Sequence, residues 1–256
     1  MTASANDNPT ETPAEKKDPP RAFDILLYAA VLTKRHAADI YGFTAYLLFP
    51  LLLFLGVRNI PGTVGTVSVI VVNALALVIF WWACASICTL VSIKTAHPKK
   101  DHDMRSVGMH AADIVKTLLL TVLLSSLLQA AGFILFIIPG ILATILLTFA
   151  FEEVVLRGAG PLSALAASKA RVQGNIRSVG WQLLIIFVAA LLIYTALGSG
   201  ILLFIAGIFH TDVAVLLSNT PPLWAEAILS ILQIALIPPV VIAHTVLYLS
   251  TGPTVE

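Results

Sequence analysis

Two adjacent glutamates, Glu152 and Glu153, stand at the end of a strongly apolar run and are the most chemically suggestive residues of the sequence. A pair of carboxylates can work as general acid and base, or ligate a metal ion. Neighbouring residues of a helix point about 100° apart, so these two cannot converge on one atom unaided. We therefore favour a structural interpretation, in which they mark the polar end of an apolar helix and Glu153 pairs with Arg157.

A polar loop offers a second set of residues of metal-ligating type: His97, Asp101, His102, Asp103 and His110. Their spacing matches no zinc or calcium signature. Pro98 also favours extended backbone at His97, which argues against a helical ligand pair. We interpret the segment as a solvated loop and expect no metal ion and no other cofactor.

The two cysteines, Cys84 and Cys88, share one face of a predicted helix. No histidine or acidic residue lies near them in sequence to complete a nucleophile or a metal site. We expect them to be small packing residues, and they predict no disulfide framework.

A further polar pair, Gln233 and His244, flanks Pro238-Pro239 in the last apolar stretch. Prolines free backbone carbonyls, and broken helices with nearby polar residues form midplane sites in some transporters. Gly198–Gly200 is a second weak point. A midplane polar site at Gln233 and His244 is therefore one hypothesis, and ordinary kinking is the favoured alternative.

Composition identifies the solvent that surrounds these residues. The 256 residues are 58% hydrophobic and 11% charged, whereas soluble domains carry roughly 25% charged residues. So much apolar surface cannot be hidden in a soluble core, and lipid must cover it. The net charge of +1 and the lack of a basic patch exclude a nucleic-acid partner.

The apolar residues fall into six stretches, each close to or above the ~20 residues that cross a bilayer. We predict an all-α polytopic membrane protein with six transmembrane helices and additional interfacial amphipathic helices. Residues 1–22 form a predicted disordered tail without a signal-peptide core, and residues 23–38 an interfacial helix. The transmembrane domain covers 39–252, with spans near 39–57, 66–93, 113–136, 139–156, 179–208 and 223–250.

The third and fourth spans are joined by FIIPGIL, without a polar spacer. Pro139-Gly140 is a turn signal, and a tight hairpin there leaves both spans just long enough to cross. A single broken helix and a re-entrant loop are the alternatives.

Basic residues are segregated by this topology. Every lysine and arginine except Arg58 falls on one side of six spans. The positive-inside rule makes that side cytoplasmic, so both termini are expected there. On the same side, the pattern of apolar and basic residues over 161–173 predicts an amphipathic surface helix that begins at Pro161. The side chains expected near anionic lipid headgroups are Arg157, Lys169, Arg171 and Arg177.

The run FILFIIPGILATILLTFAFEEVVLRGAGPLSALAASKARVQGNIRSVGWQLL resembles bacterial inner-membrane proteins of the YciC-like type. It is also similar to the membrane domain attached to some glycerophosphoryl diester phosphodiesterases. The shared features are Pro139-Gly140, Gly160, Ala164-Leu165, Ser168 and Gly174-Asn175. The resemblance implies a multi-span fold in the bacterial inner membrane and no established chemistry, since the phosphodiesterase activity belongs to a separate soluble domain. Apolar residues are expected in the family where Glu152-Glu153 stand here.

These observations favour a non-catalytic integral inner-membrane protein that serves as a scaffold or as a lipid- or envelope-related accessory. The alternatives are a small-molecule transporter or channel using spans 5 and 6, and a membrane-embedded lipid-modifying enzyme. The expected partners are membrane lipids, including anionic phospholipids, and a membrane-protein partner or a second copy of the chain.

Overall fold

The computed structural model describes residues 21–97, 103–210, 213–216 and 222–251. Every regular element within these ranges is a helix, so the all-α prediction is confirmed. Most of the expected tail at 1–22 lies outside the described residues. The helices are α1 (Ala22–Arg35), α2 (Ala37–Ala45), α3 (Leu48–Val57), α4 (Gly62–Ala96), α5 (Met104–Leu135), α6 (Ile137–Leu146), α7 (Ala150–Arg157), α8 (Pro161–Gln173), α9 (Ile176–Phe209), α10 (Val213–Leu216) and α11 (Leu223–Thr251).

Six helical segments are long and apolar enough to cross a membrane, which confirms the number of spans. Four are single helices, and two are formed by consecutive helices, α2 with α3 and α6 with α7. Helix α5 begins well before its apolar run because Asp103 caps it, accepting a hydrogen bond from the backbone N–H of Arg105 at 3.0 Å. Hydropathy marks the part of a helix that lies in hydrocarbon, while the helix itself continues into water.

The spans leave most of their apolar surface outside the bundle. Only 11% to 33% of the residues in the most apolar window of each span are buried within the chain. Large side chains such as Ile70, Leu127 and Phe187 are more than half exposed. In water such a surface would aggregate, whereas in a bilayer it is the normal boundary with lipid.

The third and fourth spans form a tight hairpin, but the reversal falls at Phe136 and not at Pro139-Gly140. Phe136 is extended between α5 and α6, and α5 packs against both α6 and α7. Pro139 is accommodated in the first turn of α6, where a backbone N–H has no helical partner. Gly132 and Gly140 allow the two helices to approach closely. A Cβ on Gly132 would lie 3.0 Å from the Cα of Gly140, and a Cβ on Gly140 would clash with Cδ1 of Phe133.

Helix α11 is the central packing element. It contacts α1, α2, α4 and α9, and its residues Ile242 and Leu247 are completely buried. Helix α1, expected at the interface, buries Ile25 and Ala29 in the same core cluster. The prolines do not interrupt α11. The hydroxyl of Tyr41 donates a 3.1 Å hydrogen bond to the carbonyl of Ala235, the group that Pro239 leaves without its helical donor.

Candidate functional site

The fourth span is broken where its polar residues begin. Helix α6 ends at Leu146 and α7 starts at Ala150, and between them Leu147 and Phe149 have ψ near 5° and 7°. The hydroxyl of Ser168, on α8, repairs the break. It donates to the carbonyl of Leu146 at 2.8 Å and accepts from the N–H of Phe149 at 3.1 Å. Both groups would otherwise be unpaired in the protein interior.

The break turns Thr148 toward α11, where it meets His244. The Oγ1 atom of Thr148 lies 3.0 Å from Nε2 of His244, and Nδ1 of the same ring lies 2.5 Å from Oε1 of Glu152. Because a carboxylate can only accept, we assign the proton to Nδ1, and in the neutral ring Nε2 then accepts from the threonine hydroxyl. Phe149 packs on the imidazole with its ring centroid 5.6 Å away. The ring is therefore fixed from both ends.

The second glutamate joins α7 to α8 and α11. Arg171 Nε donates to Glu153 Oε1 at 3.0 Å, and its guanidinium also donates to the carbonyl and the hydroxyl of Tyr248 at 3.3 and 3.1 Å. The guanidinium carbon lies 4.0 Å from the centre of the Tyr248 ring, close enough for cation–π attraction. Arg157 makes a longer contact with Glu153, 3.6 Å from Nε to Oε2.

We call these seven residues the polar junction: Thr148, Glu152, Glu153, Ser168, Arg171, His244 and Tyr248. It connects α7, α8 and α11, which are separated by up to about a hundred positions along the chain. Its geometry corrects two predictions. Glu152 and Glu153 do not mark a solvated end of the helix, since each is 1% exposed. Arg171 is not available to lipid headgroups, since only 6% of its side chain is exposed and it is bound to Glu153.

The other residues and segments that were singled out from the sequence are placed as follows relative to the polar junction. Helix α8 spans the expected segment 161–173, and Arg157, Lys169 and Arg177 are exposed. The predicted contact between Glu153 and Arg157 is present. Gln233 and His244 do not form one site, because Gln233 is exposed on α11, eleven residues or about 16 Å from the histidine. Helix α9 continues unbroken through Gly198–Gly200.

The cysteines and the described residues of the polar loop lie apart from the polar junction. Cys84 and Cys88 are buried as free thiols. His97 and His110 are exposed, Asp103 caps α5, and Asp101 and His102 lie outside the described residues. Within the part of the chain that the structure describes, no three His, Cys, Asp or Glu side chains are grouped to hold a metal ion.

An elongated groove adjoins the polar junction. It has a volume of about 1360 Å³ and runs between α6, the first half of α9 and α11. Thr148 and His244 line its inner wall, and Asn175, Arg177 and Ser178 line one end. The rest of the lining is mainly apolar and includes Phe133, Ile141, Ile145, Leu183, Ile186, Phe187 and Ala190. We call this feature the α9 groove.

Sequence reasoning did not single out Thr148 or Tyr248, and it gave no site role to Ser168. Their partners lie 96, 77 and 19 to 22 positions away, so no local spacing indicates the contacts. The one available signal was the composition of span 4, in which two acidic residues directly follow an apolar run. Buried charges need partners, and that requirement could have directed attention to Arg171 and His244.

Comparison with known proteins adds no relative: no protein-family model, no curated protein and no solved structure matches the chain. The fold itself defines an all-helical, multi-pass membrane protein with six candidate spans.

Proposed function

We propose that this chain is a lipid-binding protein of the bacterial inner membrane, and that the α9 groove holds one acyl chain of an anionic phospholipid. The observation that carries the proposal is the polarity gradient along the groove. Asn175, Arg177 and Ser178 line the groove where α9 begins, and the remaining lining is mainly apolar, with Thr144, Thr148 and His244 as its polar members. A molecule with an anionic head and a hydrocarbon tail fits this gradient, because its head would contact the polar residues and its tail the apolar ones.

Length and charge support the same occupant. The lining residues of α9 run from Ile176 to Ala190, about 21 Å along the helix, which is comparable with an extended long acyl chain. Arg177 is exposed at the start of α9, where the helix dipole also favours negative charge. The phosphate would therefore sit at the start of α9 and the acyl chain along the groove.

The headgroup contact predicts a selective loss of affinity. Arg177→Gln is expected to weaken binding of phosphatidylglycerol about five-fold, because one basic side chain near anionic lipid contributes roughly 1 kcal/mol. Binding is measured by native mass spectrometry of delipidated protein titrated with phosphatidylglycerol or phosphatidylcholine. Lys169→Gln is the matched control, since Lys169 is exposed but does not line the groove. Equal affinities in the wild type and Arg177→Gln would contradict the proposal.

We also propose that both termini and α8 are cytoplasmic. The segregation of all lysines and arginines except Arg58 supports this orientation. On the other side, Arg58 forms an ion pair with Glu226 at the start of α11. The resemblance to inner-membrane proteins supports the compartment.

Cysteine labelling tests the orientation, with low background because both native cysteines are buried. Ile60 and Lys169 are exposed at opposite ends of the bundle. A membrane-impermeant maleimide is expected to label Ile60→Cys in intact spheroplasts, and Lys169→Cys only after the membrane is opened. Labelling of Lys169→Cys from outside intact spheroplasts would show that the orientation is the opposite of the one proposed.

A further inference from the structure

We propose that Thr148, His244 and Glu152 form a nucleophile–base–acid chain that cleaves the carboxylic ester of the lipid in the α9 groove. The proposal rests on the lipid occupancy proposed above and adds a reaction to it. It would replace the expectation that the protein has no enzymatic activity.

The geometry meets the two requirements of such a chain. The nucleophile must be hydrogen-bonded to a base, and the base must be oriented by a third group. Thr148 Oγ1 lies 3.0 Å from His244 Nε2, and His244 Nδ1 lies 2.5 Å from Glu152 Oε1. Glu152 holds the tautomer in which Nε2 accepts a proton.

The position of Thr148 distinguishes it from the other threonines of the bundle. Within the described helices, threonine hydroxyls usually donate to the carbonyl four residues earlier, as those of Thr89, Thr121 and Thr144 do at 2.8 to 2.9 Å. Thr148 lies in the helix break, and its hydroxyl is bonded to a histidine instead. Both residues line the groove, so the hydrogen-bonded pair borders the space assigned to the lipid.

A structural role alone does not account for this arrangement. Glu153 is neutralised by an arginine that makes further bonds to Tyr248. Glu152, by contrast, is paired only with a histidine that is 26% exposed, and its buried Oε2 has no hydrogen-bond partner among the described residues. Such an incompletely satisfied carboxylate is costly, and buried acids of this kind are typical of sites that handle protons.

The depth of Thr148, His244 and Glu152 in the membrane suits reaction with a lipid ester group. His244 lies seven residues before the end of α11 at Thr251, about 10 Å inside that helix end. The headgroup layer is roughly 5–8 Å thick on each side of the hydrocarbon core. With the phosphate near Arg177, the ester carbonyl would lie near the level of Thr148.

The reaction balances with water as co-substrate. The Thr148 oxygen attacks the ester carbonyl carbon while its proton moves to His244 Nε2. The ester C–O bond then breaks, and the imidazolium returns the proton to the departing glycerol oxygen. Water, deprotonated by the same nitrogen, hydrolyses the acyl-threonine to a fatty acid and restores the hydroxyl.

The test measures fatty-acid release from dioleoyl phosphatidylglycerol by the purified full-length protein in mixed micelles. Thr148→Val keeps the shape of the side chain but removes the hydroxyl, and is expected to lower the rate at least ~100-fold. Thr148→Ser should retain most of the activity. Glu152 acts as a positioning residue, so Glu152→Gln should lower kcat while leaving KM unchanged.

Lipid binding is measured on the same samples by native mass spectrometry and separates this proposal from the previous one. Thr148→Val should bind phosphatidylglycerol as the wild type does. If the wild type binds lipid but releases no fatty acid, or if Thr148→Val is as active as the wild type, the ester-cleavage proposal is wrong and the lipid-binding proposal stands. If the wild type binds no phosphatidylglycerol, both are wrong.

Discussion

Replacement of Arg171 by methionine is expected to lower the free energy of unfolding by about 3–5 kcal/mol. The substitution keeps most of the apolar stem but removes the guanidinium that neutralises Glu153. Glu153 is 1% exposed, and its remaining partner, Arg157, lies farther away at 3.6 Å with a side chain that is 49% exposed. The carboxylate would be left buried with poor compensation, and α8 would lose its bonds to Tyr248.

This expectation is checked by reversible unfolding of the purified protein in mixed micelles, followed by circular dichroism. Lys169→Met is the control on the same helix, because Lys169 is exposed and surface substitutions usually change stability by less than ~0.5 kcal/mol. If the two variants unfolded alike, Arg171 would not be the group that fastens α8 to the bundle.

The second large effect is expected from His244→Leu, which removes the hydrogen-bond partner of Glu152 Oε1. Since Oε2 already lacks a hydrogen-bond partner within the described part of the chain, neither oxygen of a fully buried carboxylate would then be satisfied. We expect a loss of about 3–5 kcal/mol in the free energy of unfolding, and most of it should be recovered when Glu152→Gln is added, because the second change removes the stranded charge.

Gln233→Leu provides the comparison for His244→Leu, because it removes a polar side chain from an exposed position of the same helix. It should change the free energy of unfolding by less than ~0.5 kcal/mol. Failure of Glu152→Gln to rescue His244→Leu would show that the histidine stabilises the bundle through packing on Phe149 and not through the carboxylate.

The fold could be predicted from sequence because the bilayer imposes a strong and local requirement. A span needs about 20 consecutive apolar residues, and such runs are visible one at a time. The end of α5 shows the limit of that reasoning. Pro139-Gly140 indicated the hairpin, yet the chain reverses at Phe136, because a proline is tolerated in the first turn of a helix and Gly140 is used for packing against Gly132.

The polar junction could not be predicted because its contacts are non-local. Glu152 and Glu153 were noticed from sequence, but the interpretation as the polar end of a helix assumed that a charge near a span end faces the headgroups. The break between α6 and α7 and its repair by Ser168 turn them inward instead. His244 was associated with Gln233 on the basis of the prolines between them, although Tyr41 satisfies the carbonyl freed by Pro239.

A structural and a functional half can be distinguished within the polar junction. Glu153, Arg171 and Tyr248 form a satisfied network that ties α7 and α8 to α11. Thr148 and His244 border the α9 groove, and Glu152 is bonded to the groove histidine with its Oε2 left without a hydrogen-bond partner among the described residues. Substitutions in the first half should therefore act on stability, His244→Leu should affect both stability and the proposed reaction, and Thr148→Val should act on the proposed reaction alone.

The most direct measurement is the coupling free energy between Glu153 and Arg171, obtained from the unfolding of Glu153→Gln, Arg171→Met and the double variant. Because the buried pair shares a 3.0 Å bond, the double variant should be more stable than Arg171→Met, with a coupling of at least about 2 kcal/mol. Single effects that simply add, to within about 0.5 kcal/mol, would show that the two side chains do not meet inside the bundle and that the glutamates face the membrane surface after all.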